Sequence, residues 1–210
     1  MSARGLRSLA GAVASVALGL AMPRAGQATA FDHCLVCHGA NANGNPAIHA
    51  PRISALEPWY VRNQLHAFHE GWRGSDEHDD AGHEMRPVGQ HLDAAGVERA
   101  VAFLAGLQSR RPTPTISGDV AAGQLAYVAC AACHGAQGDG NASLRAPALA
   151  GQSDWYLLAS LRKYRAGVRG SAADDINGTA MRVVATQLPD DATLTDLVAY
   201  INTLPAKEHP

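Results

Sequence analysis

Cys34-Leu35-Val36-Cys37-His38 returns ninety-six positions later as Cys130-Ala131-Ala132-Cys133-His134, and these stretches hold all four cysteines of the chain. At the same offset Gly39 meets Gly135, Gly44 meets Gly140, Pro51 meets Pro147, Trp59 meets Trp155 and Tyr60 meets Tyr156. Arg73 with Arg169, Gly82 with Gly178 and Met85 with Met181 extend the register. Beyond Leu92 and Leu188 the second copy gains one residue, so Phe103 pairs with Tyr200 and Leu107 with Leu204. A chain of 210 residues repeated in this way folds one small unit twice. Between the copies, Ser109-Arg110-Arg111-Pro112-Thr113-Pro114-Thr115 sets two prolines among polar residues and reads as an extended linker. The expected organisation is a leader over 1–21, a first domain over 22–108, a linker over 109–117 and a second domain over 118–210.

The repeated motif also limits the chemistry. Two thiols with two residues between them reach both vinyl groups of one porphyrin, and the next imidazole lies beneath its iron. A bare C-x-x-C also occurs in zinc sites and redox dithiols. A structural zinc site would want a second pair close by, and a redox dithiol has no need of His38 or His134. The pattern therefore points to two haem c groups, attached through Cys34 and Cys37 and through Cys130 and Cys133, with His38 and His134 as proximal iron ligands.

Methionine placement supplies the other side of each iron. Met85 and Met181 are the methionines outside the N-terminal region, and each lies forty-seven residues after its histidine. A lone core methionine is commonly a gap filler. Two in register with two haem motifs read instead as distal ligands, because a thioether is a soft donor suited to haem iron.

Aromatic residues make up only 5 % of the sequence, which is lean for two cores of under about a hundred residues each. A covalently held apolar plate would fill that deficit. The formal charge of −2 gives no basic footprint, so nucleic acid is not an expected partner.

Arg4 and Arg7 precede an apolar run from Leu9 to Leu20, the pattern of a secretory signal and too short to be a membrane span. Cleavage is expected after Ala21. Cutting instead after Ala30 would leave three residues ahead of Cys34, whereas the second copy has a helix starting near Ala122-Gly123-Gln124, matched by Ala25-Gly26-Gln27. The mature protein is expected in the periplasm, and an uncleaved leader would instead tether it to the membrane.

Each copy reads as all-α. A short helix enters each haem motif and a Gly- and Asn-rich loop follows. A middle helix is expected from about Trp59 to Phe68 and again from Trp155 through Tyr164. A Gly-rich loop is then expected to carry the methionine. The last helix buries Val97, Val101, Leu104 and Leu107 in one copy and Leu194, Leu197, Val198 and Ile201 in the other, with Asp93 and Asp190 as N-caps. No stretch alternates well enough to predict a sheet.

With these motifs the chain resembles dihaem class I c-type cytochromes of the cytochrome c4 type, over everything after the leader. The resemblance implies two tandem class I cytochrome c domains, each a few helices wrapped around one covalent haem. It implies a proline whose carbonyl accepts the proximal imidazole N–H, a place that Pro51 and Pro147 match. It also implies haem propionates held near the domain interface by Trp, Tyr or Arg donors. Trp59, Tyr60, Arg73, Trp155, Tyr156 and Arg169 are the candidates, set against ordinary packing for the aromatics and solvated charge for the arginines.

The copies differ in histidine. His33, His49, His66, His69, His78, His83 and His91 add to His38 in the first copy, whereas Arg162, Arg165 and Thr179 match His66, His69 and His83. His66 and His69 lie three apart on one helix and could bind a metal, and His83 flanks Met85; surface histidines are the preferred reading. The acidic run Asp76-Glu77-His78-Asp79-Asp80 reads as a solvated face, or as a docking site for a basic partner.

Iron closed by His and Met favours electron transfer over catalysis. The expected function is to carry electrons one at a time between periplasmic or membrane-bound redox partners, from a quinol-oxidising complex or dehydrogenase toward a terminal oxidase. A haem subunit of a larger dehydrogenase is the alternative. A dihaem peroxidase or thiosulfate-oxidising enzyme fits less well, because it would need an open or unusually ligated iron.

Overall fold

Helix-forming segments separated by glycine turns dominate the chain, and a computed structural model describes residues 31–54 and 56–206. The leader, both cleavage sites and the Ala25-Gly26-Gln27 segment lie outside the described residues. The first domain contributes α1 (Asp32–His38), α2 (Pro58–His69), α3 (Asp80–His91) and α4 (Ala94–Ala105). The second contributes α5 (Val120–His134), α6 (Asp154–Arg165), α7 (Ile176–Ala185) and α8 (Asp191–Ile201). Among the described residues there is no strand. Two isolated bridges, Asn45 with Ala50 and Asn141 with Ala146, close matching loops after the haem motifs.

The amphipathic stripes pack as their spacing dictates. In the first domain Phe31, Val61, Leu65, Val101 and Leu104 form a buried core. In the second, Tyr127, Leu158, Leu161, Leu194, Leu197, Val198 and Ile201 do the same. Asp93 accepts from Gly96 N and Asp190 from Thr193 N, so both carboxylates cap their helices. Helices α5 and α8 cross very closely. A Cβ on Gly123 would lie 1.9 Å from the Asp196 carbonyl oxygen, so only glycine fits that crossing.

The methionine segment departs from the expected loop. Met85 sits within α3 and Met181 within α7. Gly82 and Gly178 look like loop residues in the sequence but serve the helix start. Asp79 Oδ1 accepts from Gly82 N at 3.1 Å and Asp175 Oδ1 from Gly178 N at 2.9 Å. Glycine is needed because a Cβ would lie 2.1 Å and 2.0 Å, respectively, from those carboxylates. The true loop comes earlier, where Gly71, Gly74, Gly167 and Gly170 have positive φ.

The linker is extended but fastened along its length. Asp154 accepts Ile116 N at 2.7 Å and Thr115 Oγ1 at 2.9 Å. Arg111 donates to the carbonyls of Asn202 and Leu204, and Arg110 N to Asn43 Oδ1. Across the interface Arg52 donates to the Gly151 carbonyl, and Gln152 Nε2 donates to Arg52 O at 3.0 Å.

Candidate haem sites

The Cys-x-x-Cys-His segments end α1 and α5, so each histidine is the last residue of its helix and turns into a glycine with positive φ, Gly39 or Gly135. His38 Nδ1 donates to Pro51 O at 2.7 Å and His134 Nδ1 to Pro147 O at 2.8 Å. This leaves Nε2 as the free donor atom of each neutral ring. Both imidazoles are buried, and burial lowers their affinity for a proton while the carbonyl bond opposes it. Neutral imidazole is the form that binds a metal.

In the second domain the candidate ligands meet in one cavity of ≈ 590 Å³. Cys130, Cys133, His134 and Met181 all line it, with Pro147 beside them. Burial, and next the neighbouring Cys133, push the Cys130 thiol up to about 11. Cys130 and Met181 also border the second core. In the first domain Cys34 and Met85 pack against that domain's own core, and burial raises the Cys34 thiol as well. The two sites are alike in register and differ in surroundings.

The cavity continues across the domain interface. Trp59, Tyr60 and Arg73 of the first domain line it together with Tyr156 and Arg169 of the second. Arg73 Nη1 donates to Gln64 Oε1 at 2.6 Å, and Arg169 Nη1 to Ser160 Oγ at 3.0 Å. Arg73 lies over the Phe68 ring at 4.3 Å, and Arg169 over Tyr164 at 4.4 Å, in matching register. The charge of each arginine also acts on the other domain's tyrosine, Arg73 on Tyr156 and Arg169 on Tyr60. Burial opposes ionisation of both phenols, yet the two guanidiniums outweigh it at Tyr156, whereas Tyr60 is pushed up. Arg169 is only 3 % exposed, which rules out a solvated loop charge. Trp155 is placed differently from Trp59: it packs edge-on to His49 of the first domain, with ring centroids 6.2 Å apart.

These residues fit a covalently held haem. The cavity has a thiol pair, a thioether and two imidazoles, those of His134 and of His66 from the first domain, and the guanidiniums at its interdomain end suit carboxylates. Arg73 Nε is buried without a hydrogen-bond partner among the described residues, a vacancy that a propionate oxygen would satisfy.

The extra histidines do not converge. His66 Nδ1 lies 3.8 Å from Glu70 Oε1 and its ring meets Trp72, whereas His69 Nδ1 bonds the Gly89 carbonyl at 3.3 Å. Among the described residues no group of three or more His, Cys, Asp or Glu could hold a metal ion. The acidic run is split: Asp79 is 1 % exposed and pairs with Lys163 of the second domain, so it belongs to neither a solvated face nor a docking patch. Sequence reasoning missed Glu57, Gln64, Arg52, Asp154 and Lys163. Their register partners are Ser153, Ser160, Ala148, Pro58 and Ala67, so comparing the copies for differences would have marked them.

The family model for cytochrome c matches residues 24–108 and again 120–205. The chain belongs to the cytochrome c family. It is similar to a thiosulfate dehydrogenase electron acceptor of Stutzerimonas stutzeri, 32 % identical over 72 % of each chain. Cytochrome c4 of Acidithiobacillus ferrooxidans has a similar structure, with TM-score 0.64 at 26 % identity over 83 % of this chain and 99 % of that one. The thiosulfate dehydrogenase of Marichromatium purpuratum matches with TM-score 0.65 at 28 % identity over 82 % of this chain, which spans only 36 % of its length. As a cytochrome c4-like protein, the chain has two tandem cytochrome c domains and two covalently bound haem c groups. Among the described residues no helix is long and apolar enough to cross a membrane.

Proposed function

We propose that this cytochrome carries electrons one at a time between periplasmic redox proteins. The observation that carries the reading is the convergence of Cys130, Cys133, His134 and Met181 in one cavity, with Cys34, Cys37, His38 and Met85 in the same register of the first domain. Haem supplies a reversible one-electron couple. His38 and His134 would each supply one iron ligand and Met85 and Met181 the other, and iron closed in this way would have no position for substrate. Pro51 and Pro147 fix the imidazole tautomers. Tyr60, Tyr156, Arg73 and Arg169, which line the cavity with Trp59, would hold the propionates, and Trp155 supports the interface through His49. A leader over 1–21 exports the chain, and residues 109–117 join domains spanning 22–108 and 118–210.

The likeness to a thiosulfate dehydrogenase electron acceptor favours a dehydrogenase as the electron donor, and a terminal oxidase is the acceptor in this reading. Rapid mixing tests this. The oxidised protein should be reduced within seconds by thiosulfate plus catalytic thiosulfate dehydrogenase, and not by thiosulfate alone. Reduction by thiosulfate alone, with turnover, would make the protein an enzyme.

A further inference from the structure

The peptide group joining Pro147 and Ala148 is bonded at both ends. Its carbonyl accepts His134 Nδ1–H at 2.8 Å, and its N–H donates to Glu57 Oε1 at 3.0 Å, across the domain interface. Glu57 precedes the first turn of α2 in the first domain. Its carboxylate also approaches Gly140, where a Cβ would lie 2.9 Å from Oε1, and Gly140 N bonds the His134 carbonyl. A first-domain carboxylate thus stands one peptide group behind the second domain's proximal histidine.

Hydrogen bonds in a chain polarise one another. A peptide that donates to an anion becomes a better acceptor at its carbonyl, and a better acceptor at Nδ1 makes the imidazole a more basic ligand. A richer ligand and a nearby negative charge both favour the oxidised iron.

The repeat supplies an internal contrast. In the opposite register Ser153 replaces Glu57 and Arg52 replaces Ala148. The N–H of the first domain's Pro51 peptide therefore belongs to Arg52, a buried residue whose guanidinium donates to the Gly151 carbonyl and Ser109 Oγ.

We propose that Glu57 is a positioning residue for the second domain's haem: through the Ala148 N–H it strengthens the His134–Pro147 bond and lowers that haem's potential. The inference rests on the two-haem His/Met reading and adds a cross-domain control to it. Whatever sets the domain packing then also sets how one electron divides between the haems.

The test is a spectroelectrochemical titration of the purified holoprotein. Waves are assigned with Met85→Ala, which displaces the first-domain wave. Glu57→Gln keeps an acceptor for Ala148 and removes the charge; Glu57→Ala removes both. Both variants should raise the second-domain potential and leave the first unmoved. The expected change is about tenfold in the constant for sharing one electron, which is ~59 mV for a one-electron couple. In a Met181→Ala background, the iron–imidazole stretch of the reduced second domain should fall in frequency with Glu57→Gln, a shift that a purely structural role would not give. An unmoved second wave in both variants, or equal shifts in both waves, overturns the inference and leaves the electron-carrier reading standing. Absence of two methionine-ligated waves in the unaltered protein would overturn both.

Discussion

Asp79 of the first domain holds Lys163 Nζ of the second at 2.5 Å while capping α3, the helix that carries Met85, through Gly82 N–H. One carboxylate therefore ties the helix that carries Met85 to the packing of the domains. Burial opposes ionisation of Asp79, but Lys163 outweighs it and holds the carboxyl below its usual range. Lys163→Met should leave a buried carboxylate unpaired. Lys163 is about a quarter exposed, so the cost should be about 1–3 kcal/mol, below the ~3–5 of a fully buried pair. A depressed carboxyl stabilises above its unfolded pKa and loses that contribution as pH falls through the folded one. Urea midpoints should therefore separate the variant from the parent at neutral pH and converge in strong acid.

Gly123→Ala should be among the most damaging single changes, because its Cβ would lie 1.9 Å from backbone that cannot move aside. Loss of more than about 4 kcal/mol is expected. Gly106→Ala is the control. Its Cβ would meet nothing closer than 3.6 Å, in a right-handed backbone, and a change within about 1 kcal/mol is expected. Thermal melts of the two variants provide the comparison.

Asp154→Ala should release the linker. The carboxylate gathers Thr115, Ile116 and Asn202, and although burial opposes ionisation, the bonds from Ile116 and Thr115 keep its pKa low. Limited proteolysis between 109 and 117 should be slow in the parent and fast in the variant. In the parent, cleavage should accelerate as pH falls through the depressed pKa, since protonation weakens those bonds.

Much of this architecture is legible because a repeat amplifies what its copies share. The stripe of Leu194, Leu197, Val198 and Ile201 and the caps at Asp93 and Asp190 follow directly from spacing. The methionine helices were obscured by Gly82 and Gly178, which lower helix propensity yet make room for a capping carboxylate. The interface was hidden for the opposite reason. Glu57, Arg52 and Lys163 act between copies and have no counterpart in register, so similarity gives them no signal.

Cys130→Ser should reduce covalent haem from two to one per chain, readable by intact mass. Met85→Ala should open the first iron to added ligands and lower its potential while sparing the second, because a thioether raises haem potential. Retention of full ligand exclusion in Met85→Ala would displace Met85 from the distal position.

The most direct measurement is an optical redox titration of the purified oxidised protein. Two closed His/Met centres predict a sulfur-to-iron charge-transfer band of two-haem intensity and two one-electron waves. Absence of that band, or rapid turnover of peroxide, would contradict the account.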